Sequence, residues 1–119
     1  MGTFEVEVFI GNVENGDLTR VEAIVDTGAT HSIMPGSLLE YHQVRSYGLQ
    51  EYMLSDGGTK IFEFGMALFQ LNGERWPCPV LFGEEGLHLL GATTLEIFRL
   101  AVDPVNRELV PQVWIARPF

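Results

Sequence analysis

One acidic residue sits where an acid is costly. Ala23-Ile24-Val25 runs straight into Asp26, and Thr27 and Gly28 follow. Asp is a poor strand residue and is rarely buried without a partner. A carboxylate at the tip of an apolar strand therefore suggests chemistry: it can take a proton from water or hand one to a carbonyl oxygen. Thr27 offers a side-chain hydrogen bond, and Gly28 lets a second backbone or a ligand approach closely. The same residues also suit a plain strand that ends in an Asp-Thr-Gly turn, and this stretch alone leaves both readings open.

Other chemistries find little support. His31, His42 and His88 have no metal-ligand spacing with one another or with Cys78, so neither metal nor cofactor is expected. His31 reads as an exposed loop residue close to Asp26. No serine lies on a nucleophile elbow and no phosphate-cradling glycine pattern occurs. Seven Lys and Arg against 16 Asp and Glu give a net charge of −9, which argues against nucleic acid as a partner. No apolar run approaches the ~20 residues of a membrane span, so no membrane partner is expected. Met1-Gly2-Thr3-Phe4-Glu5 carries neither a basic region nor an apolar core, which gives no support to export. Cys78 is the only cysteine and can form no intrachain disulfide; a reducing, cytoplasmic setting is the expectation.

The elements around Asp26 are mostly strands. A chain of 119 residues, 46% hydrophobic, reads as one domain over 1–119 with a sizeable core. Phe4, Val6, Val8 and Ile10 alternate with acids, which predicts a half-buried strand. Asn15-Gly16 marks a hairpin turn, and the returning strand, Leu18 to Val25, delivers Asp26. Ile33-Met34-Pro35 follows as a short strand. Ser37-x-x-Glu40 and Thr93-x-x-Glu96 have capping-box spacing and predict two short helices. Two strand-like runs, Glu51 to Leu54 and Lys60 to Phe64, flank Ser55-Asp56-Gly57-Gly58-Thr59, a tight-turn composition. Gly65 to Leu71 and Trp76 to Phe82 read as further strands. Pro77 and Pro79 both lack a donor on one side, which predicts a sheet edge there, with Cys78 facing the other way. Leu100 to Val102, Glu108 to Val110 and Gln112 to Ala116 complete the strands, with Asp103-Pro104-Val105-Asn106 as a turn.

Two of these stretches together resemble a known family. Ala23-Ile24-Val25-Asp26-Thr27-Gly28-Ala29 is similar to the active-site loop of aspartic proteases. Leu89-Leu90-Gly91-Ala92-Thr93-Thr94-Leu95-Glu96 is similar to the second signature of the retropepsin-like, retroviral-type branch. The motifs lie in the expected order, and the resemblance covers roughly Phe4 to Pro111. Gly28-Ala29-Thr30 and Gly91-Ala92-Thr93 also echo each other, as the pseudo-symmetric lobe of that family implies. The fold implied is all-β: a retropepsin-like closed barrel with a flap hairpin and one or two short helices.

The resemblance implies an aspartic endopeptidase. With one Asp-Thr-Gly per chain, the two carboxylates would come from a homodimer with Asp26 of each subunit at the axis. Asp26, Thr27 and Gly28 would be the catalytic loop, with Thr27 hydrogen-bonding across the dimer. Ala29 and Thr30 would line the substrate backbone, and Ser55, Asp56, Gly57, Gly58 and Thr59 would cover a peptide substrate. Met34 and the hairpin's aromatic residues would suit apolar substrate side chains. The apolar segments near the two chain ends, Phe4 to Ile10 and Val113 to Ala116, would supply the intersubunit sheet or else pair within one subunit. The chain departs from retroviral proteases at two places. They carry an arginine after the glycine of the second motif, where Ala92 stands, and an Asp where Thr30 stands, so the loop must be braced otherwise. A non-catalytic peptide-binding or dimerisation module on the same fold is the alternative.

Overall fold

The computed structural model describes residues 3–113 and residue 116. Among these residues, nine strands and two short helices follow one another: β1 (Glu5–Gly11), β2 (Leu18–Val25), β3 (Ser32–Pro35), α1 (Gly36–Tyr41), β4 (Ser46–Met53), β5 (Thr59–Leu71), β6 (Glu74–Gly83), β7 (Leu89–Leu90), α2 (Ala92–Ile97), β8 (Leu100–Asp103) and β9 (Glu108–Pro111). The first seven form one sheet in the order β1-β2-β7-β3-β6-β5-β4. A further β1–β5 pairing, with Ile10 opposite Phe69, closes six of them into a ring and leaves β4 outside it on β5. Closure removes most of the free edges that an open sheet would carry; among the described residues the outer side of β4 and the first half of β6 keep theirs.

The ring follows from the period-two patterning. Val8 and Ile10 on β1, Ala23 and Val25 on β2, Ala67 and Phe69 on β5, and Cys78 and Val80 on β6 all point inward and are buried. Met34 and Leu39 fill the space between β3 and α1 at 0% exposure. Met34 is thus core, and its neighbour Ile33 is the residue that faces the cleft described below. Cys78 is fully enclosed, and burial pushes its thiol up to about 12. That keeps it protonated and inert at neutral pH.

Several expectations need adjustment. Lys60 to Phe64 and Gly65 to Leu71 are one continuous strand, β5, whose first half extends beyond the barrel and pairs only with β4. Gly65 permits this continuity, because a Cβ there would lie 2.7 Å from the Arg45 carbonyl oxygen. The edge predicted from Pro77 and Pro79 is present: those residues pair with β5 alone, and β3 joins β6 only from Val80 onward. Neither capping box forms. Ser37 turns to Glu85, whose carboxylate accepts from the Ser37 amide and hydroxyl, and α2 starts after Gly91 with no side-chain cap. The N-terminal strand pairs within the subunit, with β2 on one side and β5 on the other. The strand expected over Gln112 to Ala116 includes Trp114 and Ile115, which lie outside the described residues; Gln112 and Val113 are not in a strand.

Candidate active site

Asp26 lies one residue past β2, at the point where two loops cross. Parallel pairing of Ile24 and Val25 with Leu89 and Leu90 brings the two apolar strands side by side. The Asp26 amide donates to the Leu90 carbonyl at 2.9 Å. Beyond the crossing, the Ala92 amide donates to the Ala29 carbonyl at 2.7 Å and the Thr93 amide to the Thr30 carbonyl at 2.9 Å. The two Gly-Ala-Thr echoes are therefore hydrogen-bonded to each other at matching positions. These bonds also explain the missing cap on α2. Its first N–H donors are satisfied by carbonyls of the acidic loop, so no side chain is needed.

Two further contacts secure the crossing. Buried Ser32 accepts from the Gly91 amide at 3.0 Å, and its Oγ lies 2.5 Å from the buried Thr94 Oγ1. The crossing is thus secured by neutral hydroxyls and backbone, with no desolvated charge to compensate. Gly91 itself has no room for a side chain: a Cβ would stand 2.6 Å from the His31 carbonyl carbon and 2.9 Å from the Ala29 oxygen. Ser32 and Thr94 were missed in the sequence. The available signal was a small hydroxyl residue in an otherwise apolar strand and the second threonine after Gly91.

The Asp26 carboxylate is half-buried. Its Oδ1 accepts from the Gly28 amide at 2.9 Å, and among the described residues it joins no ion pair. A Cβ on Gly28 would sit 3.2 Å from that same oxygen, so glycine leaves the carboxylate its space. Two hollows open on Asp26. One, of about 340 Å³, runs between the acidic loop and the β4–β5 hairpin. Asp26, Gly28, Ala29, Thr30 and Ser55 line it with the hairpin aromatics Tyr52 and Phe62, together with His31, Ile33 and Leu81, which the sequence reading had not placed there. The other, of about 240 Å³, lies on the opposite side of the loop and is bounded by Phe4, Val25, Thr27, Val102 and Arg107. Thr27 is exposed toward that second side. Asp56, Gly57, Gly58 and Thr59 do not line the first hollow. Gly57, with φ of +90°, and Gly58 form the exposed hairpin tip, and Thr59 already belongs to β5 opposite Met53.

His31 is not the exposed loop residue expected. Its ring meets Tyr52 and Phe64 edge to face, with centroids 5.8 and 5.6 Å away, and its Nδ1 is enclosed without a hydrogen-bond partner among the described residues. That enclosure lowers its pKa below the ordinary histidine value.

The architecture is similar to that of retroviral proteases. The EIAV protease complexed with the inhibitor HBY-793 matches with a TM-score of 0.65 at 17% identity, over 82% of this chain and 88% of that one. A solution structure of simian foamy virus (mac) protease matches with a TM-score of 0.58 at 22% identity, over 79% of this chain and 93% of that one. No family model and no curated protein matches the sequence. The retropepsin-like barrel expected from the two motifs is the fold observed.

Two outcomes follow from the site. Ser32→Ala leaves the Gly91 amide buried without its acceptor and should cost about 1–3 kcal/mol of stability, read from urea denaturation; Thr94→Val in the same background should cost less than it does alone. A histidine whose pKa is lowered on folding binds more protons when unfolded. Its contribution is therefore complete above the ordinary histidine pKa and fades as pH falls below it. Replacing His31 by Phe should flatten the fall in stability from neutral to mildly acidic pH, measured by the same denaturation series.

Proposed function

We propose that the chain is an aspartic endopeptidase that works as a twofold homodimer, with Asp26 of each subunit facing its copy. An isolated carboxylate activates water weakly against an amide. Two carboxyls held close together share one proton, because both cannot ionise in one small volume. The ionised member takes a proton from water, and the water oxygen bonds to the scissile carbonyl carbon. The protonated member gives its proton to the carbonyl oxygen. Collapse of that adduct breaks the C–N bond: the proton held by the first carboxyl passes to the leaving nitrogen, and one hydroxyl proton of the adduct returns to the second carboxylate, re-forming the carbonyl and the shared-proton pair.

The observation that carries this reading is Asp26 itself. It is a half-buried carboxylate fixed by the Gly28 amide, free of any cation among the described residues, and open to a hollow on each side. The first hollow has apolar walls, which suits a peptide with hydrophobic side chains near the scissile bond. In this reading the β4–β5 hairpin is a flap: its exposed tip is glycine-rich and can approach a peptide backbone without side-chain obstruction. A dimer would carry −18, twice −9, and would favour neutral or basic peptides. A cytoplasmic setting belongs to the same proposal.

The test is cleavage of a mixed peptide library between about pH 4 and 7, the range in which a shared-proton pair operates, with and without pepstatin. Asp26→Asn should lower cleavage by at least roughly 10²–10⁴-fold while circular dichroism stays unchanged. Undiminished cleavage in that variant would remove the mechanism. Peptide binding without cleavage by the wild type would favour the non-catalytic module.

A further inference from the structure

The β4–β5 hairpin overhangs the first hollow and is lightly held there. Tyr52 lies opposite Lys60, Gln50 opposite Phe62 and Gly48 opposite Phe64, so these residues share one face. That face turns toward the body: Phe62 is buried, and Tyr52 and Phe64 are half-buried. Leu49, Glu51, Ile61 and Glu63 on the other face are exposed. The outer half of the hairpin is tied down by Tyr52 against the His31 ring and by Lys60 to Glu84 at 3.3 Å. The second tie is an exposed ion pair, and such pairs hold little. At the foot of the hairpin the register slips between Ser46 and Gly48, and Gly48 has φ of +140° with open space around it. A glycine beside a bulge is a place where a strand can bend. Phe64 lies at that foot, opposite Gly48, while Tyr52 lies further toward the tip.

His31 is packed between these two rings, with its Nδ1 enclosed and without a hydrogen-bond partner among the described residues. A neutral imidazole has one N–H and one bare nitrogen. An enclosed N–H with no acceptor is costlier than an enclosed bare nitrogen, so the neutral proton is assigned to Nε2. Protonation must then add an N–H at Nδ1 and a charge to the ring, inside an enclosure that offers neither acceptor nor counter-ion. The surrounding ionisable groups do not relieve this. Asp26, on the same loop, is engaged by the Gly28 amide. Tyr52 on β4 donates its hydroxyl to Gln50 at 2.8 Å, and burial raises its pKa, which keeps it neutral. Lys60 on β5 lies over the Phe62 ring and pairs with Glu84. In the loop before β7, Glu85 is taken by Ser37 and stands near His88. Glu51 and Glu63 lie on the far face of the hairpin. Ser32 to Pro35 on β3, Leu81 on β6 and Gly91 to Thr93 at the start of α2 bring no ionisable side chain. Among the described residues none of these groups bonds to His31, and burial is the cause that lowers its pKa.

We propose that His31 is a proton-operated latch: the neutral ring holds Tyr52 and keeps the β4–β5 hairpin over the hollow, and a proton on Nδ1 releases it. Phe64 stays at the foot, Tyr52 swings away about Gly48, and Nδ1 gains water as its acceptor. The closed hairpin binds this proton more weakly than the open one. Closure is therefore fully supported above the ordinary histidine pKa and is lost as pH falls below it. An imidazolium is also drawn to aromatic faces; if that attraction outweighed desolvation, His31 would titrate above the ordinary value instead. The latch goes beyond the peptidase reading, since it governs access to the hollow whether or not a peptide is cut there.

The test is an NMR titration of the whole protein between about pH 8 and 5, the range over which histidines charge. Imidazole nitrogen signals follow His31, and ring proton shifts follow Tyr52. Both should change with one midpoint, below the ordinary histidine value, and Tyr52 should end at the shifts of an exposed tyrosine. His31→Phe keeps a ring for Tyr52 to pack on but carries no proton, so Tyr52 should hold its closed shifts throughout. Tyr52→Ala should raise the His31 midpoint toward the ordinary value, as reciprocity requires. Asp26→Asn should leave both transitions in place, which separates the latch from the acidic loop. Tyr52 shifts that stay fixed in wild type would overturn the latch, and so would a His31 midpoint at or above the ordinary value. A Tyr52 transition that survives in His31→Phe, or one that vanishes in Asp26→Asn, would overturn it too. If a variant fails to fold, the coincidence of the two wild-type midpoints still decides. No readout involves peptide cleavage, so a chain that cuts nothing can still carry the latch, and a peptidase can still lack it.

Discussion

Everything at the site depends on two loops passing within backbone contact of each other. A crossing this close buries N–H and C=O groups that water would otherwise serve, and each must find a partner or cost free energy. The chain solves this by having the segments serve one another. Leu90, Ala29 and Thr30 accept, Asp26, Ala92 and Thr93 donate, and Ser32 takes the Gly91 amide. Gly91 is the geometric condition, since any side chain there would occupy the space of the His31 backbone. Asp26 is held in place by this crossing, with its carboxylate left free for other work.

The ring of strands serves the same end. Closing β1 on β5 and inserting the two-residue β7 between β2 and β3 puts both loops at one end of the barrel. The hairpin that overhangs them is the outward continuation of β5, so its base is anchored in the core at Ala67 and Phe69 while its tip stands clear. Leu49, Met53 and Ile61 on that hairpin are largely exposed, and the few buried contacts are Phe62 and the Tyr52–His31 and Phe64–His31 ring pairs. An element with a rigid base and a lightly held end is suited to opening and closing over a cleft.

Much of this was legible in the sequence because it is written in periodicity. The alternation on β1 put Val8 and Ile10 on the core face, and the paired prolines of β6 marked a real edge with Cys78 turned inward. The echo of the two Gly-Ala-Thr segments was visible too, though not that the segments would hydrogen-bond to each other. Less was legible where a long-range contact overrides a local rule. Thr93 and Ser37 have capping-box spacing, but the donors of α2 are taken by carbonyls sixty-odd positions away and Ser37 by Glu85. His31 looks like any loop histidine until Tyr52 and Phe64 are folded over it. Ser32 and Thr94 carry no motif, and their pairing spans 62 positions. Met34 and Ile33 show the limit of short-strand reading: one residue of register decides which faces the core and which the cleft.

The proposed pairing of Asp26 with its copy can be put to a mixing experiment. Asp26→Asn protein is titrated into wild type at fixed total concentration, with time for subunits to exchange, and peptide cleavage is measured. A shared pair makes every mixed dimer inactive, so the rate falls as the square of the wild-type fraction. A rate that falls in a straight line would mean each subunit acts alone and would contradict the paired site.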